Sequence, residues 1–535
     1  MKIKPPPAVT VGLAAFITAL RDPARYAHPV TRIDVLETHI SWVILTGQYA
    51  YKIKKPLNLG FLDFSTLAAR RYCCEEELRL NRRLAPSLYE SVVKITGSID
   101  HPVIGGDGAA VEYAVRMREF PQSALASRLL ADGALTGAHI DALAACIAAF
   151  HADTSVAACG SPYGTPEVVT AAAHENFAQL SRLLPDTADR TRINKLYAWT
   201  EHEYTTHWTL FGARQADGRV RECHGDLHLG NIVMLDGQLT PFDCIEFNPA
   251  LRWIDVMNEV AFLVMDLMDR GRADFAYRFL NAYLEASGGY AGLEVLRFYW
   301  VYRALVRAKV HALRAAQDGI PAAERERLLG ASRGYIALAQ QCAHNARPAI
   351  ILMHGVSGSG KSIIALALAE QAGAIRLRSD IERRRLSGLA PLARSGSTLA
   401  SGIYTAELTF ATYQRLLDLA RMAANAGYTV VVDATFLKRW QRDLFRRQAN
   451  TQSIPFVILD VTAPEAVLRA RIATRLAAGS DASEADQAVL SRQHAQSEAL
   501  TADESSALLR IDTSRADEAT TLREACAALR TRLAA

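Results

Sequence analysis

The sequence predicts two domains: an N-terminal α+β domain of two lobes, and a C-terminal α/β domain built on a parallel sheet. Three observations lead to this prediction. The chain has 535 residues, which is too many for one hydrophobic core. Strand patterns followed by long helical patterns fill the first part, whereas strands and helices alternate in the last part. The segment Ala343 to Pro348 separates the two patterns, so we place the domains at residues 1–345 and 349–535.

The first elements along the chain are the strands of a small lobe. Residues 34–54 alternate like two strands joined by a turn. Lys52 and Lys54 leave the second strand on one face, and either of them could grip nucleotide phosphates. A helix predicted over Phe64 to Leu84 places Glu77 beside an inward-facing stripe, so we expect Glu77 to pair with that lysine. The plainer alternative is a solvated lysine on an edge strand.

A second group of polar residues follows in a predicted loop, which reads His-Gly-Asp-Leu-His-Leu-Gly-Asn at 224–231. Asp226 and Asn231 have the spacing of the catalytic loop of protein kinases, in which the Asp takes the acceptor proton and the Asn holds a metal. Asp236-Gly237 predicts a two-residue hairpin that returns Asp243 to the neighbourhood of Asn231. We therefore expect Asp226 as the catalytic base, with Asn231 and Asp243 as Mg²⁺ ligands. The alternative is a polar loop followed by an ordinary hairpin.

The most specific motif lies at residues 355–362, which read Gly-Val-Ser-Gly-Ser-Gly-Lys-Ser after an apolar strand at Ala349 to Met353. This is the pattern of a P-loop, whose backbone N–H groups cradle phosphates. Its lysine reaches the β- and γ-phosphates, and its last serine lies on Mg²⁺. The predicted nucleotide-binding residues are Gly355, Ser357, Gly358, Ser359, Gly360, Lys361 and Ser362.

Further candidate residues follow the P-loop. Asp433 ends an apolar strand, where a P-loop fold places an acid near the metal. Asp380 and Arg383 lie one helical turn apart and could activate an acceptor hydroxyl and hold the transferred phosphate, or they could be a helix cap and an ordinary ion pair. Arg471 and Arg475 could close over the phosphates as a lid, or they could form a solvated basic face.

Composition narrows the function class. The net charge of +4 is small for this length and argues against wholesale nucleic-acid binding. The eight cysteines show no C-x-x-C pair and no zinc spacing, which is typical of buried thiols in a reducing compartment. Ala8 to Leu20 favours a short amphipathic helix over a signal peptide, and no stretch of eighteen apolar residues is present. We expect a cytoplasmic protein with no membrane partner.

These motifs carry two resemblances. The first 340 or so residues resemble the aminoglycoside phosphotransferase and kinase-like superfamily, on the 224–231 loop, Asp243 and the Tyr51–Lys54 strand. That resemblance implies a bilobal protein-kinase-like fold and a small-molecule hydroxyl acceptor, although only Gly47 stands where protein kinases have a glycine-rich loop. The chain from about residue 349 is similar to the P-loop kinases that include zeta-toxin, gluconate-kinase and polynucleotide-kinase-like proteins. The similarity rests on Lys361, Ser362, Asp380, Arg383, Asp433, Arg471 and Arg475.

The sequence therefore predicts an ATP- and Mg²⁺-dependent phosphotransferase with two nucleotide sites and small-molecule acceptors. One alternative is a regulatory protein in which one domain only binds nucleotide, although a pure binder has no need of Asp226. Another is a nucleic-acid end kinase, which basic clusters near Arg376 to Arg385 and Lys438 to Arg447 would serve. Those clusters lack aromatic residues at stacking spacing, so a nucleic-acid partner is not favoured.

Overall fold

The computed structural model describes residues 14–60, 62–344, 348–390, 405–478, 486–514 and 517–534. Its internal contacts divide the chain into two compact units. The first unit comprises Met1–Val169 and Thr209–Leu263, and the second comprises Thr170–Trp208 and Val264–Ala535. The domain limits at 345 and 349 stay a prediction, because residues 345–347 lie outside the described part of the chain.

The first unit contains an antiparallel sheet with the strand order β1-β2-β3-β6-β4-β5 among its described residues. Apolar residues on the sheet form clusters such as Ile44, Ile53 and Ala114, and helix α1 packs on β6. The Thr66 hydroxyl caps the start of α1 by accepting from the Ala69 N–H. The elements are β1 (Asp34–Glu37), β2 (Ser41–Leu45), β3 (Tyr49–Lys54), α1 (Leu67–Asn81), β4 (Tyr89–Gly97), β5 (Pro102–Ile104) and β6 (Glu112–Arg118).

The predicted first strand is divided into two, and this was not expected from its alternating pattern. β1 and β2 pair antiparallel with Glu37 opposite Trp42, so the chain reverses between them. The Thr38 hydroxyl accepts from the Ser41 N–H at 2.9 Å and thereby closes the turn. A hydroxyl that bonds the nearby backbone in this way competes with a continuous strand.

The remainder of the first unit includes a second hairpin, formed by two short strands. Strands β8 and β9 pair with Leu235 opposite Gln238, and the two turn residues Asp236 and Gly237 have φ of 49° and 81°. These positive values are those of the type I′ turn that an Asp-Gly pair favours. The elements are α2 (Ala126–Ala131), α3 (Gly137–Asp153), β7 (Val220–Glu222), β8 (Ile232–Leu235), β9 (Gln238–Pro241) and β10 (Trp253–Asp255). The division between the units falls inside α4 (Pro166–Leu183), α5 (Thr187–Ala216) and α6 (Val256–Asp269).

The second unit contains a parallel sheet with the order β12-β13-β11-β14-β15 among its described residues. Helices precede it: α7 (Ala273–Ser287), α8 (Leu293–Ala315) and α9 (Ala322–Ala343). The sheet and its helices are β11 (Ile350–His354), α10 (Lys361–Ala372), β12 (Ile375–Arg378), α11 (Ser379–Leu386), α12 (Ala406–Asn425), β13 (Val430–Asp433), α13 (Arg439–Gln452), β14 (Phe456–Thr462), α14 (Glu465–Ala478), α15 (Gln487–Gln496), β15 (Leu508–Asp512) and α16 (Glu518–Ala534). Helices α10 and α16 cover one face of the sheet, where Ile351, Val431 and Leu459 form the core.

Two expectations from composition have mixed outcomes. All eight cysteines are free thiols, but Cys146 and Cys159 are exposed and Cys342 is only partly buried, so the expectation of buried thiols is wrong for them. No helix within the described ranges is long and apolar enough to cross a lipid bilayer. Residues 14–19 are helical, and the beginning of the predicted first helix lies outside the described residues.

Candidate active sites

The catalytic-loop candidates of the first unit lie between β7 and β8. Asn231 Nδ2 donates to the Asp226 carboxylate at 2.9 Å and to the Asp226 carbonyl at 3.1 Å. His228 Nε2 lies 3.5 Å from the same carboxylate. The Asp226 side chain is 37% exposed, so an acceptor hydroxyl could reach it. The structure thus brings the predicted base and its predicted metal-binding neighbour together.

The hairpin places Asp243 close to this loop, as its turn predicts. The Phe242 N–H donates to the Asn231 carbonyl at 2.9 Å, which fixes Asp243 next to Asn231 along the hairpin. Asp243 has a φ of 66°, and its N–H donates to the Tyr89 hydroxyl at 3.2 Å. A left-handed aspartate held in this way is uncommon and is typical of a functional position.

The lysine and glutamate candidates form a buried ion network with Asp243. Lys52 Nζ donates to Glu77 Oε1 at 2.8 Å and also pairs with Asp243, whereas Lys54 Nζ donates to Glu77 Oε2 at 2.6 Å. Burial by itself raises the pKa of Glu77, but the two ammonium groups outweigh it and lower that pKa to about 2. Of the two lysines, Lys52 is the one that pairs with Asp243, whereas Lys54 pairs with Glu77 and Glu246, so the contacts favour Lys52 as the phosphate-binding lysine.

Sequence reasoning missed two residues that hold this network. Glu246 is buried and pairs with Lys54, and the only signal for it is its position three residues after Asp243. Asn81 Oδ1 accepts from the Cys244 N–H at 2.9 Å and so anchors the chain next to Asp243. Asn81 lies one turn after Glu77 on α1, and its Nδ2 donates to the Glu77 carbonyl. The helix that supplies Glu77 therefore also positions Asp243.

A buried brace lies behind the catalytic loop, and it too was not predicted. Glu259 Oε1 accepts from the Gly225 N–H at 2.6 Å, and Glu259 Oε2 lies 2.8 Å from His151 Nε2. Burial raises the pKa of Glu259, but these two hydrogen bonds help to lower it to about 2. His151, Glu259 and Cys223 offer ligand atoms within 4.8 Å of one another. Both Glu259 oxygens already accept hydrogen bonds, so the cluster is explained as a brace for the loop.

Glycine is required at two positions around these sites. Gly225 has a φ of 90°, and a Cβ there would meet the Leu251 carbonyl oxygen at 2.8 Å. Gly355 in the P-loop has a φ of 134°, and a Cβ there would meet the Val461 carbonyl oxygen at 2.3 Å. Backbone atoms cannot yield as a flexible side chain can, so larger residues are excluded at both places.

The P-loop of the second unit joins β11 to α10, as the motif predicts. The Ser362 hydroxyl donates to Asp433 Oδ1 at 3.2 Å, and Asp433 Oδ2 is buried with no hydrogen-bond partner among the described residues. Lys361 Nζ donates to the Val356 carbonyl at 2.7 Å, within the loop itself. Gln493 on α15 was not predicted, and its Oε1 accepts from the Ser357 N–H at 2.8 Å. No sequence signal marks this contact, because Gln493 lies over a hundred residues from the loop.

Asp380 and Arg383 lie at the carboxyl edge of the same sheet. Arg378 and Asp433 are register partners at the ends of β12 and β13, and Asp380 is two residues further on, in the first turn of α11. Burial raises the pKa of Asp380, against the opposing effect of Arg383 and Arg378. Arg383 Nη1 donates to the Thr409 hydroxyl on α12 at 3.1 Å. The predicted acceptor residues and the predicted metal-proximal acid thus meet at one edge.

The two lid candidates have different outcomes. Arg471 Nη1 donates to the Thr513 hydroxyl at 2.8 Å and to the Gly358 carbonyl at 3.4 Å, so it contacts the P-loop directly. The Thr513 hydroxyl in turn donates to the Ser359 carbonyl at 2.9 Å. Arg475 lies on α14, but its side chain lies outside the described residues, so its predicted role as a lid stays a prediction.

Family models match both parts of the chain. Residues 73–299 match the phosphotransferase enzyme family, and residues 350–500 match an AAA domain family. Uncharacterized proteins of Mycobacterium tuberculosis (strain H37Rv) and Mycobacterium bovis are each 33% identical over 473 residues, which cover 88% of this chain and 92% of the relative. The predicted fusion of a phosphotransferase-like domain with a P-loop kinase-like domain is therefore confirmed, and the two-domain fold class with it.

Solved structures are similar to single parts of the chain. A gluconokinase from Sinorhizobium meliloti is 23% identical, covering 35% of this chain and 95% of that protein, with a TM-score of 0.27. The amicoumacin kinase hAmiN is 14% identical, covering 62% of this chain and 95% of that protein, with a TM-score of 0.40. A choline/ethanolamine kinase family protein from Mesorhizobium loti is 12% identical, covering 62% of this chain and 99% of that protein, with a TM-score of 0.36.

Proposed function

Because the chain belongs to the same family as the two mycobacterial proteins and is a kinase-like phosphotransferase, we propose that it transfers the γ-phosphate of ATP to small-molecule hydroxyl groups at two separate sites. The observation that carries the proposal is that each unit brings together its own set of basic and acidic side chains that were predicted to bind phosphate and metal. Asp226, Lys52 and Asp243 form the first set. Lys361, Ser362 and Asp433 belong to the second.

In the first site, the proposed role of Asp226 is to accept the proton of the acceptor hydroxyl. The hydrogen bond from Asn231 Nδ2 holds the carboxylate in one orientation, so the base needs little reorganisation when the acceptor arrives. Lys52 would balance the charge of the nucleotide phosphates while Glu77 fixes its position. The brace from Glu259 to Gly225 keeps the loop backbone in place.

In the second site, the P-loop amides and Lys361 would bind the phosphates of ATP. Asp380 would accept the proton of a second acceptor, and Arg383 would stabilise charge on the transferred phosphate. Arg471, which already touches the Gly358 carbonyl and Thr513, would steady the loop from its other side. Phosphoryl transfer depends mainly on such positioning and charge neutralisation, because the protein has little covalent chemistry to perform.

The acidic side chains at both sites fit Mg²⁺. Within the part of the chain that the structure describes, the buried Asp433 Oδ2 has no hydrogen-bond partner, and the Ser362 hydroxyl lies beside the same carboxylate. This is the pairing that a P-loop offers to a metal ion. In the first unit, Asn231 uses its Nδ2 on Asp226, so its side-chain Oδ1 and the Asp243 carboxylate would be the oxygen donors for a hard cation. When bound, Mg²⁺ would neutralise phosphate charge and orient the nucleotide.

The test is transfer of label from γ-labelled ATP to a small-molecule extract by the full-length protein. We expect Asp226→Asn to remove one labelled product, with a loss of about 10²- to 10⁴-fold, since it removes a general base. Lys361→Ala should remove a different product. Matched controls are Asp236→Asn, at an exposed turn position where Asn tolerates a positive φ, and Lys438→Ala, at an exposed ion pair with Glu498.

The outcomes separate the alternatives. If only Lys361→Ala abolishes turnover, the first unit is a sensor or binding module and the two-site proposal is wrong. If an oligonucleotide offered in the same assay takes up the label instead, the acceptor class is wrong and the protein is a nucleic-acid end kinase. If the two control variants lose activity to the same extent as the two site variants, the losses come from general damage and the proposal has no support.

A further inference from the structure

Strand β12 is the outer strand of the parallel sheet, and one side chain of α7 pairs with its free edge. Asn281 Nδ2 donates to the Ala374 carbonyl at 2.9 Å, and Asn281 Oδ1 accepts from the Arg376 N–H at 2.7 Å. Asn281 is 1% exposed. Its amide makes the two hydrogen bonds that a neighbouring strand would otherwise make, and so fixes α7 against β12 in one register.

Glu285 lies one helical turn after Asn281 and faces the same strand. Its Oε1 lies 2.8 Å from Arg376 Nη2, and its Oε2 lies 3.4 Å from Arg378 Nη1. The side chains of Glu285, Arg376 and Arg378 are 13%, 10% and 17% exposed. One carboxylate therefore holds two arginines that lie two residues apart on the strand. All three side chains are largely buried, so solvent screens their charges only weakly.

Arg378 is the member of this group that stands next to the proposed chemistry. It is the last residue of β12, it is the register partner of Asp433, and it immediately precedes the helix that carries Asp380. Asp433 in turn accepts from the Ser362 hydroxyl of the P-loop. Arg378 acts electrostatically on Asp380, in the direction opposite to burial, so its charge already lies near this carboxylate. If Glu285 did not hold the guanidinium, it could leave this position at the acceptor edge.

We propose that Glu285 is a positioning residue of the P-loop site, which holds the guanidinium of Arg378 in its place at the acceptor edge of the sheet. The inference rests on the proposed function of that site. Residue 285 falls within the part of the chain that matches the phosphotransferase family, residues 73–299. A residue from that part of the sequence would thus be required for transfer at the P-loop, and the P-loop domain would not be an independent enzyme.

The test measures the Lys361-dependent product in full-length Glu285→Gln, with γ-labelled ATP and the small-molecule extract as probes. We expect kcat to fall between about tenfold and a hundredfold, the cost of a misplaced group near the reacting atoms. The KM for ATP should stay within about twofold, because Glu285 contacts no P-loop residue among those described. Glu285→Asp, which keeps the charge, should recover part of the rate.

The matched control is Glu370→Gln, which removes an ion pair of α7 on the same side of the sheet. Glu370 on α10 lies 2.7 Å from Arg278 of α7, and both side chains are 21% exposed. This variant should change the Tm about as much as Glu285→Gln but leave kcat unchanged. If both variants lose the same activity, Glu285 only fastens α7 to the domain and the positioning role is wrong.

A double variant keeps the proposal testable if Glu285→Gln folds poorly. Arg378→Gln should lower kcat by itself, and adding Glu285→Gln to it should cause no further loss, because Glu285 acts through Arg378. Additive losses would contradict the proposal. If Lys361→Ala forms the product at the wild-type rate, the proposed function fails and the positioning role fails with it. If Lys361→Ala abolishes the product and Glu285→Gln does not affect it, only the positioning role is wrong.

Discussion

Asp380 shows how a single side chain can be set for proton transfer by its surroundings. Burial raises its pKa, the guanidinium groups of Arg383, Arg378 and Arg384 act in the opposite direction, and Asp433 raises it again. The net direction is upward. A carboxylate with a raised pKa is a stronger base than an exposed aspartate, whose pKa is about 3.9. This is the property that the proposed role at the P-loop site requires.

A pH profile of the Lys361-dependent reaction tests this role. The base must be ionised, so the rate should fall as the pH is lowered through the pKa of Asp380, and that limb should lie above the range of an ordinary aspartate. Arg383→Gln removes the charge that most strongly lowers this pKa, so the limb should move to higher pH in addition to any loss of rate. A limb that stays in place in Arg383→Gln would show that another group controls the profile.

At the scale of elements, the strongest sequence signals gave the right structures. The Asp236-Gly237 hairpin forms as predicted, because both turn residues adopt the positive φ that this pair tolerates. The P-loop follows a buried strand and opens a helix, and a Cβ at Gly355 or Gly358 would meet a backbone carbonyl oxygen, so the loop needs glycine at both positions. These motifs are local, so the sequence alone contains their physical cause.

The unpredicted parts of the sites are contacts between distant segments. Gln493 reaches the Ser357 N–H, and Glu259 reaches the Gly225 N–H, from helices whose periodic patterns indicate only which face is buried. Strand β15 was also not predicted, and it pairs with β14 as the outermost strand on its side of the sheet. Periodicity states that a side chain points inward, but it does not state what that side chain meets.

The attachment of α1 to β3 gives a prediction at the same scale. Glu77 on α1 accepts from both Lys52 and Lys54 on β3 and is fully buried. Glu77→Gln leaves two buried ammonium groups with one partner fewer, so we expect a loss of about 3–5 kcal/mol in the free energy of unfolding at pH 7. Urea unfolding measures this loss. Glu75→Gln is the control, since it removes an exposed pair with Arg71 that is worth about 1 kcal/mol or less.

The contacts of Glu77 with Lys52 and Lys54 also predict how acid affects the stability of the first unit. The pKa of Glu77 is lowered to about 2 in the folded protein, against about 4.3 in the unfolded chain. Its contribution to stability is therefore complete above about pH 4.3 and is lost as the pH falls towards 2. In Glu77→Gln the free energy of unfolding should fall less steeply across this interval than in the wild type. Equal slopes would mean that other carboxyl groups account for the acid sensitivity.

At the scale of the whole molecule, the family boundaries and the compact units disagree about α7. The phosphotransferase match runs to residue 299, whereas the contacts place Ala273–Ser287 in the same unit as the P-loop sheet. The reason is visible at the edge of that sheet, where Asn281 bonds both Ala374 and Arg376. A sequence family records which segments are inherited together, and it does not record which surface a helix covers.

This disagreement gives a prediction about where the chain can be divided. A fragment of residues 349–535 exposes the Ala374 carbonyl and the Arg376 N–H on β12 and leaves Arg376 without Glu285, so its free edge can pair with another chain. We expect it to have a lower Tm than a fragment of residues 270–535, which retains α7, and to aggregate as its concentration rises. Thermal unfolding and light scattering of both fragments measure the difference. Asn281→Ala in the longer fragment should reproduce part of the loss, because it removes both edge hydrogen bonds while keeping the helix. Equal Tm values for the two fragments would mean that the sheet is complete without α7, and that the family boundary near residue 350 is also the boundary of stability.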